Sequence, residues 1–122
     1  MTVSISDVRG FLNNLSVGRV ADNTVQKQIE VATAKLNINK ASGVTTDTLD
    51  KAILVYSSYL TYLAYVTEYE RSAGVVPGFM VGHLQTLKEL SDSFLNCVQK
   101  GAPAPTAAIA QPSSLEEELY GN

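Results

Sequence analysis

LDKAILVYSSYLTYLAYVTEYE, residues 49–70, contains no Gly, no Pro and four charged residues. It reads as one long helix, entered through Thr45-Thr46-Asp47-Thr48, whose side-chain oxygens suit an N-cap. At about 100° per residue, Leu49, Ala52, Ile53, Tyr56, Leu60 and Leu63 fall on one side. Val55, Tyr59, Tyr62, Val66 and Tyr69 fall on a second, roughly a quarter-turn away. Ser57, Thr61 and Glu68 take what is left, beside Leu54 and Tyr65. A surface helix needs one apolar stripe a little over about 100° wide. This helix has about twice that, so the sequence predicts that it is central in its domain or touches a second body.

The flanking segments supply three shorter helices. Val8, Phe11, Leu12 and Leu15 share the i, i+3, i+4, i+7 face of a helix running to Asn14, with Ser4 or Ser6 as cap and Asp7 suited to the first turn. Gly10 costs that helix about 1 kcal/mol relative to Ala. Residues 15–20 form a connection. A second helix starts with Asp22 or Asn23 as cap, carries Val25, Ile29, Ala32 and Leu36 on one face, and stops at Ser42-Gly43. After the long helix, SAGVVPGFMVG (72–82) reads as an apolar Gly/Pro loop that packs on something through Val75, Val76, Phe79, Met80 and Val81. A fourth helix is predicted from about Gly82 to Gln99, with Leu84, Leu87, Ser91, Phe94, Leu95 and Val98 as its stripe.

The composition changes at Ala102. APAPTAAIAQP (102–112) is a Pro/Ala-rich tether. SSLEEELYGN follows, where Ser113 with Glu116 and Ser114 with Glu117 both fit a capping box. Leu115 and Leu119 are i, i+4, with Tyr120 next, in a mini-helix too short to hold alone in water. A docking segment has this design; a solvated acidic tail is the plainer reading. The fold expected is all-α: a small four-helix bundle over residues 1–101 with a long central third helix, then an extended tail over 102–122.

The totals narrow the function. The net charge is −3 and the nine Lys and Arg form no run, which disfavours nucleic acid as the main partner. Charged residues are 17% of the chain against 45% hydrophobic, a surface suited to partners. Cys97 is the only cysteine, so no internal disulfide and no thiolate cluster forms. The first residues lack a basic stretch followed by an apolar run, so no signal peptide is expected, and the long helix is too amphipathic to predict a membrane span.

Catalytic chemistry finds no constellation. His83, the only histidine, has no neighbouring acid or cysteine and reads as an exposed or capping residue. Cys97 lies by the fourth helix's stripe and reads as a small apolar residue. Glu116-Glu117-Glu118 is a charge run, and no loop has phosphate-cradling spacing. No catalytic residue, cofactor or metal is expected. Tyr56, Tyr59, Tyr62 and Tyr65 recur every three residues and wrap half the helix, which suits an interface. The subunit interface is therefore expected at Val55, Tyr59, Tyr62, Val66 and Tyr69.

SISDVRGFLNNL (4–15), ADNTVQKQIEVATAKLN (21–37) and TTDTLDKAILVYSSYLTYLAY (45–65) together resemble the head–tail connector proteins of tailed bacteriophages, also called adaptor or head-completion proteins. The likeness lies in a small helix with an Asp-x-x-x-Phe/Leu element, a second helix behind a short acidic cap, and a long Ala/Leu/Tyr-rich third helix. It covers about residues 3–100; the Gly-rich loop and the tether depart from it. It implies a non-enzymatic virion part of the neck at the capsid vertex, made in the host cytoplasm. Such proteins form a ring, commonly of about twelve subunits, below the portal. The ring extends the channel that DNA passes through and receives the stopper or tail. By position, residues 75–81 are the loop contact, and Leu115, Glu116, Leu119 and Tyr120 the portal-docking segment. The rival expectation is a helical regulatory module that captures one protein partner through its C-terminal mini-helix.

Overall fold

The computed structural model describes residues 3–12 and 20–101. It is all-helical there: α1 (Ile5–Phe11), α2 (Asp22–Asn39), α3 (Thr46–Ala73) and α4 (Gly78–Lys100), with no strand among the described residues. α3 is the hub. It packs on α4 and α2 most extensively and on α1 as well.

Each helix begins and ends for a local reason. Ser4 caps α1 in a reciprocal box: its Oγ accepts from the Asp7 N–H at 3.2 Å, and Asp7 Oδ2 accepts from the Ser4 N–H at 2.9 Å. α1 ends at Phe11, earlier than the apolar spacing implied; Asn14 and Leu15 lie outside the described residues. At α2 the expected cap is corrected. Ala21 takes the N-cap position without a side-chain bond, and Asp22 is the first helical residue. Its carboxylate is drawn instead to Arg9, whose Nη2 and Nε lie 2.6 and 3.2 Å from Oδ1. The same Nη2 donates to the Val20 carbonyl at 2.7 Å. One guanidinium thus ties α1 to the start of α2.

Thr45 caps α3 through its Oγ1, which accepts from the Thr48 N–H at 3.1 Å. The other end is closed by Gly74 at φ 86°, a left-handed position where its N–H reaches the Glu70 carbonyl at 2.8 Å. Four residues later, at Gly78, the chain is helical again. The expected loop over 72–82 is therefore wrong in extent: Phe79, Met80 and Val81 belong to α4. Pro77 stands just before that helix, its carbonyl accepting from the N–H groups of Met80 and Val81. A proline needs no partner for a missing N–H there. Gly78 and Gly82 are absorbed inside α4 at about 1 kcal/mol each.

The core is one cluster from all four helices: Val8, Phe11 and Leu12; Val25, Ile29, Ala32 and Leu36; Ile53, Val55, Tyr62, Tyr65 and Val66; Met80, Leu87, Leu90, Phe94 and Val98. Both large neighbours of α3 run antiparallel to it. Lys35 meets Tyr56 while Thr24 shares a shallow pocket with Ala64, so α2 descends as α3 rises. On the α4 side Cys97 and Gly101 share a pocket with Thr48. Cys97 is buried in this layer, as a small apolar residue would be. No described helix is long and apolar enough to cross a membrane. The tether and mini-helix over 102–122 lie outside the described residues.

Arg9→Ala removes two charge-assisted contacts and one carbonyl bond from a side chain that is only 14% exposed. It should lower stability by roughly 1.5–3 kcal/mol, read as a fall in thermal midpoint, whereas Lys51→Ala, which breaks an exposed pair with Asp47, should change it by less than about 0.5 kcal/mol. Equal effects would remove Arg9 from its role as the α1–α2 tie.

Candidate interaction surface

The surface of interest follows from which way α3 is turned. Its buried residues are Asp50, Ala52, Ile53, Val55, Ser57, Ser58, Thr61, Tyr62, Tyr65 and Val66. At 100° per residue these occupy an arc of roughly 260°. The arc left over, roughly 100° wide, holds Tyr56, Leu60, Leu63 and Thr67. The polar side expected at Ser57 and Thr61 is in fact inside, and two leucines face outward.

Small hydroxyl residues make this inversion affordable in physical terms. Ser57 donates to the Ile53 carbonyl at 2.6 Å, so its hydroxyl is satisfied within its own helix. Ser58, Thr61 and Ser91 are buried with hydroxyl oxygens that have no hydrogen-bond partner among the described residues. Each costs about 1–3 kcal/mol. Burying Tyr62, Val55, Ile53 and Val66 on the same turns returns about 1.5–3 kcal/mol apiece, which outweighs it. Small side chains also let neighbouring helices approach closely.

The five residues expected at a subunit interface are divided by this geometry. Val55, Tyr62 and Val66 are 1%, 0% and 7% exposed, and are core residues of the chain itself. Their covering is α1, α2 and α4 and needs no second body. Tyr62 and Tyr65 also stack at 5.8 Å, and Tyr65 meets Tyr69 edge-on at 6.3 Å. Only Tyr59 and Tyr69 keep part of their surface. Leu60 and Leu63, which the wheel puts on one apolar side with Ala52, Ile53 and Tyr56, are both half-exposed, and neither belongs to the hydrophobics packed on the core.

One cation flanks the outward strip. Lys35 Nζ lies 3.2 Å from the Tyr56 hydroxyl and 5.0 Å above its ring, a cation–π arrangement, and no carboxylate pairs with it among the described residues. On α4, Lys88 pairs with Asp92 at 3.1 Å, and that bond and charge hold its ammonium above its ordinary pKa. The strip is thus apolar along its centre with a basic group on the α2 side.

The expected loop contact is also divided. Met80 is buried and Val76 is half-buried against the core. Val75, Phe79 and Val81 remain exposed at 69%, 37% and 53%. His83 stands edge-on to Phe79 at 6.5 Å and is half-exposed. Val75, Phe79 and Val81 are thus exposed apolar side chains about the α3–α4 turn, with Phe79 and Val81 on different sides of α4. Leu115, Glu116, Leu119 and Tyr120 lie outside the described residues. Among the described residues no three His, Cys, Asp or Glu side chains are grouped to hold a metal ion.

No family model, no curated protein and no solved structure matches the chain.

The division of α3 into core and outer strip is testable by stability. Tyr62→Asp should unfold the chain at room temperature, since it buries a carboxylate where a fully enclosed ring stood. Leu60→Asp with Leu63→Asp should keep the circular-dichroism spectrum and shift stability by less than about 1 kcal/mol. A double variant that unfolds like Tyr62→Asp would place both leucines in the core.

Proposed function

We propose that this chain is a structural head–tail adaptor of a tailed bacteriophage, forming an oligomeric ring between the portal and the stopper or tail. The supporting observation is the outward strip of α3, where Leu60 and Leu63 stand half-exposed on either side of Tyr56. A helix at the centre of a domain has no need of outward leucines unless another surface covers them. Closed rings use two unlike patches per subunit. The strip on α3 is one, and the exposed apolar side chains about the α3–α4 turn supply the other. Tyr59 borders the first patch; Tyr69, the other residue of the expected interface that keeps some surface, lies on the opposite side of α3 against Tyr65.

The remaining parts follow the resemblance. Leu115, Glu116, Leu119 and Tyr120 dock on the portal, through the two leucines and the acidic side chains between them. DNA passes through the ring without being read or gripped, in keeping with a net charge of −3, since cationic walls would hold the phosphates. The work of such a protein is done by surfaces, so the reading assigns no catalytic residue and no cofactor. Its place is the neck of the virion, after assembly in the host cytoplasm.

Light scattering with and without a purified phage portal protein from the same source as this chain tests the reading. A portal-dependent particle carrying many copies is expected, and Leu60→Asp with Leu63→Asp should reduce the copies bound at least about tenfold, the equivalent of about 1.4 kcal/mol per contact. Failure of the wild-type chain to join the portal would overturn it in favour of the regulatory module.

A further inference from the structure

The same outward strip fits a second occupant, and that occupant is within the chain. Tyr56, Leu60, Leu63 and Thr67 follow one another at steps of four, three and four, a seam about 16 Å long that suits one turn after another of a second helix. Residues 113–120, SSLEEELY, carry Leu115 and Leu119 four apart, with Tyr120 beside them. As a helix the segment is about 12 Å long. Glu116 and Glu118 then project on opposite flanks of the leucine edge, about 100° to one side and about 60° to the other. The seam is flanked on its α2 side by Lys35, which lies on Tyr56 and has no carboxylate partner among the described residues.

Reach permits the contact. Gly101 closes α4 beside Thr48, near the start of α3. Leu60 is twelve residues further along that helix, about 18 Å away. The eleven residues 102–112 span about 34 Å when extended as a Pro-rich segment. We propose that residues 113–120 fold back onto their own chain as a short helix. Leu115 and Leu119 lie against Leu60 and Leu63, and one of the glutamates Glu116–Glu118 pairs with Lys35. The alternative hollow between α1 and α2, bordered by Val3, Ile29 and Ala34, carries Glu30 on its rim and repels the same segment. The contact itself does not require a ring; that it would shield the surface a ring uses rests on the adaptor reading.

Zero-length carbodiimide crosslinking of the full chain, followed by isolation of the monomer fraction and peptide mass spectrometry, reads the contact directly. Amide links from Lys35 to Glu116, Glu117 or Glu118 are expected in the monomer, at several times the yield of links from Lys27 to the same glutamates. Leu115→Asp with Leu119→Asp lies outside the helical core and should lower the Lys35 links about tenfold, with the helical signal falling by no more than the share of the eight-residue segment. Equal yields at Lys27 and Lys35, or yields indifferent to the double substitution, would overturn the contact. Links confined to larger species would overturn the fold-back in favour of exchange between copies. None of these outcomes depends on the portal, so the fate of the adaptor reading is decided separately.

Discussion

Everything in this fold depends on covering α3. A helix of 28 residues with apolar and aromatic side chains on most of its circumference must be enclosed by three others, one of them only seven residues long. Three helices cover about three-quarters of a fourth, and the arc they cannot reach is outside by geometry. The identity of that arc is decided by which residues tolerate close approach. Ser57, Ser58 and Thr61 are small, so the helices close around them; Tyr56, Leu60 and Leu63 are larger and are left at the rim. The outcome is set by packing more than by polarity, which is why Ser58, Thr61 and Ser91 stay buried with no hydrogen-bond partner for their hydroxyls among the described residues.

The helix ends give the molecule two unlike poles. At one, Gly74 turns the chain and Pro77 restarts it, leaving Val75, Phe79 and Val81 uncovered. At the other, α2 and α4 end where α3 begins: the Ala41 N–H donates to the Val98 carbonyl at 2.7 Å, and Gly101 at φ 71° closes α4 against Ala41. Gly101, the last described residue, lies at this second pole, opposite the turn that carries Val75.

The existence, order and type of the four helices were legible in the sequence because hydrophobic period and stop signals agree there. Thr45, Gly74 and Gly101 stand where their chemistry says a helix should begin or end. The apolar faces of α1 and α2 were equally legible: Val8, Val25, Ile29, Ala32 and Leu36 are all buried. Two features were not. The span 72–82 looked like a loop because four Gly and Pro residues fall in it, yet Gly78 and Gly82 are tolerated in a helix once Met80 is anchored in the core. The rotation of α3 was also hidden, because a wheel counts hydrophobicity and carries no measure of how closely neighbours must approach. Of the proposed interface, Tyr59 and Tyr69 survive at the surface, while Leu60 and Leu63 gave no signal that they would face outward. The density of small residues at 57, 58, 61 and 64 was the signal that pointed the other way.

A single seam with two candidate occupants makes assembly a matter of competition. A segment tethered to the same chain competes at an effective concentration of about millimolar. A neighbouring copy at about micromolar concentration displaces it only if its own contact is roughly a thousandfold tighter, about 4 kcal/mol. Free chains would then stay apart without any steric block. A surface that binds the acidic leucine segment elsewhere removes the competitor and exposes Leu60 and Leu63 in the same step, so capture of the tail and joining of neighbours become one coupled event. On the two proposals taken together, Leu60 and Leu63 and the segment 113–120 are two halves of one device. Neither is explained by the stability of the four-helix core, which is complete without them.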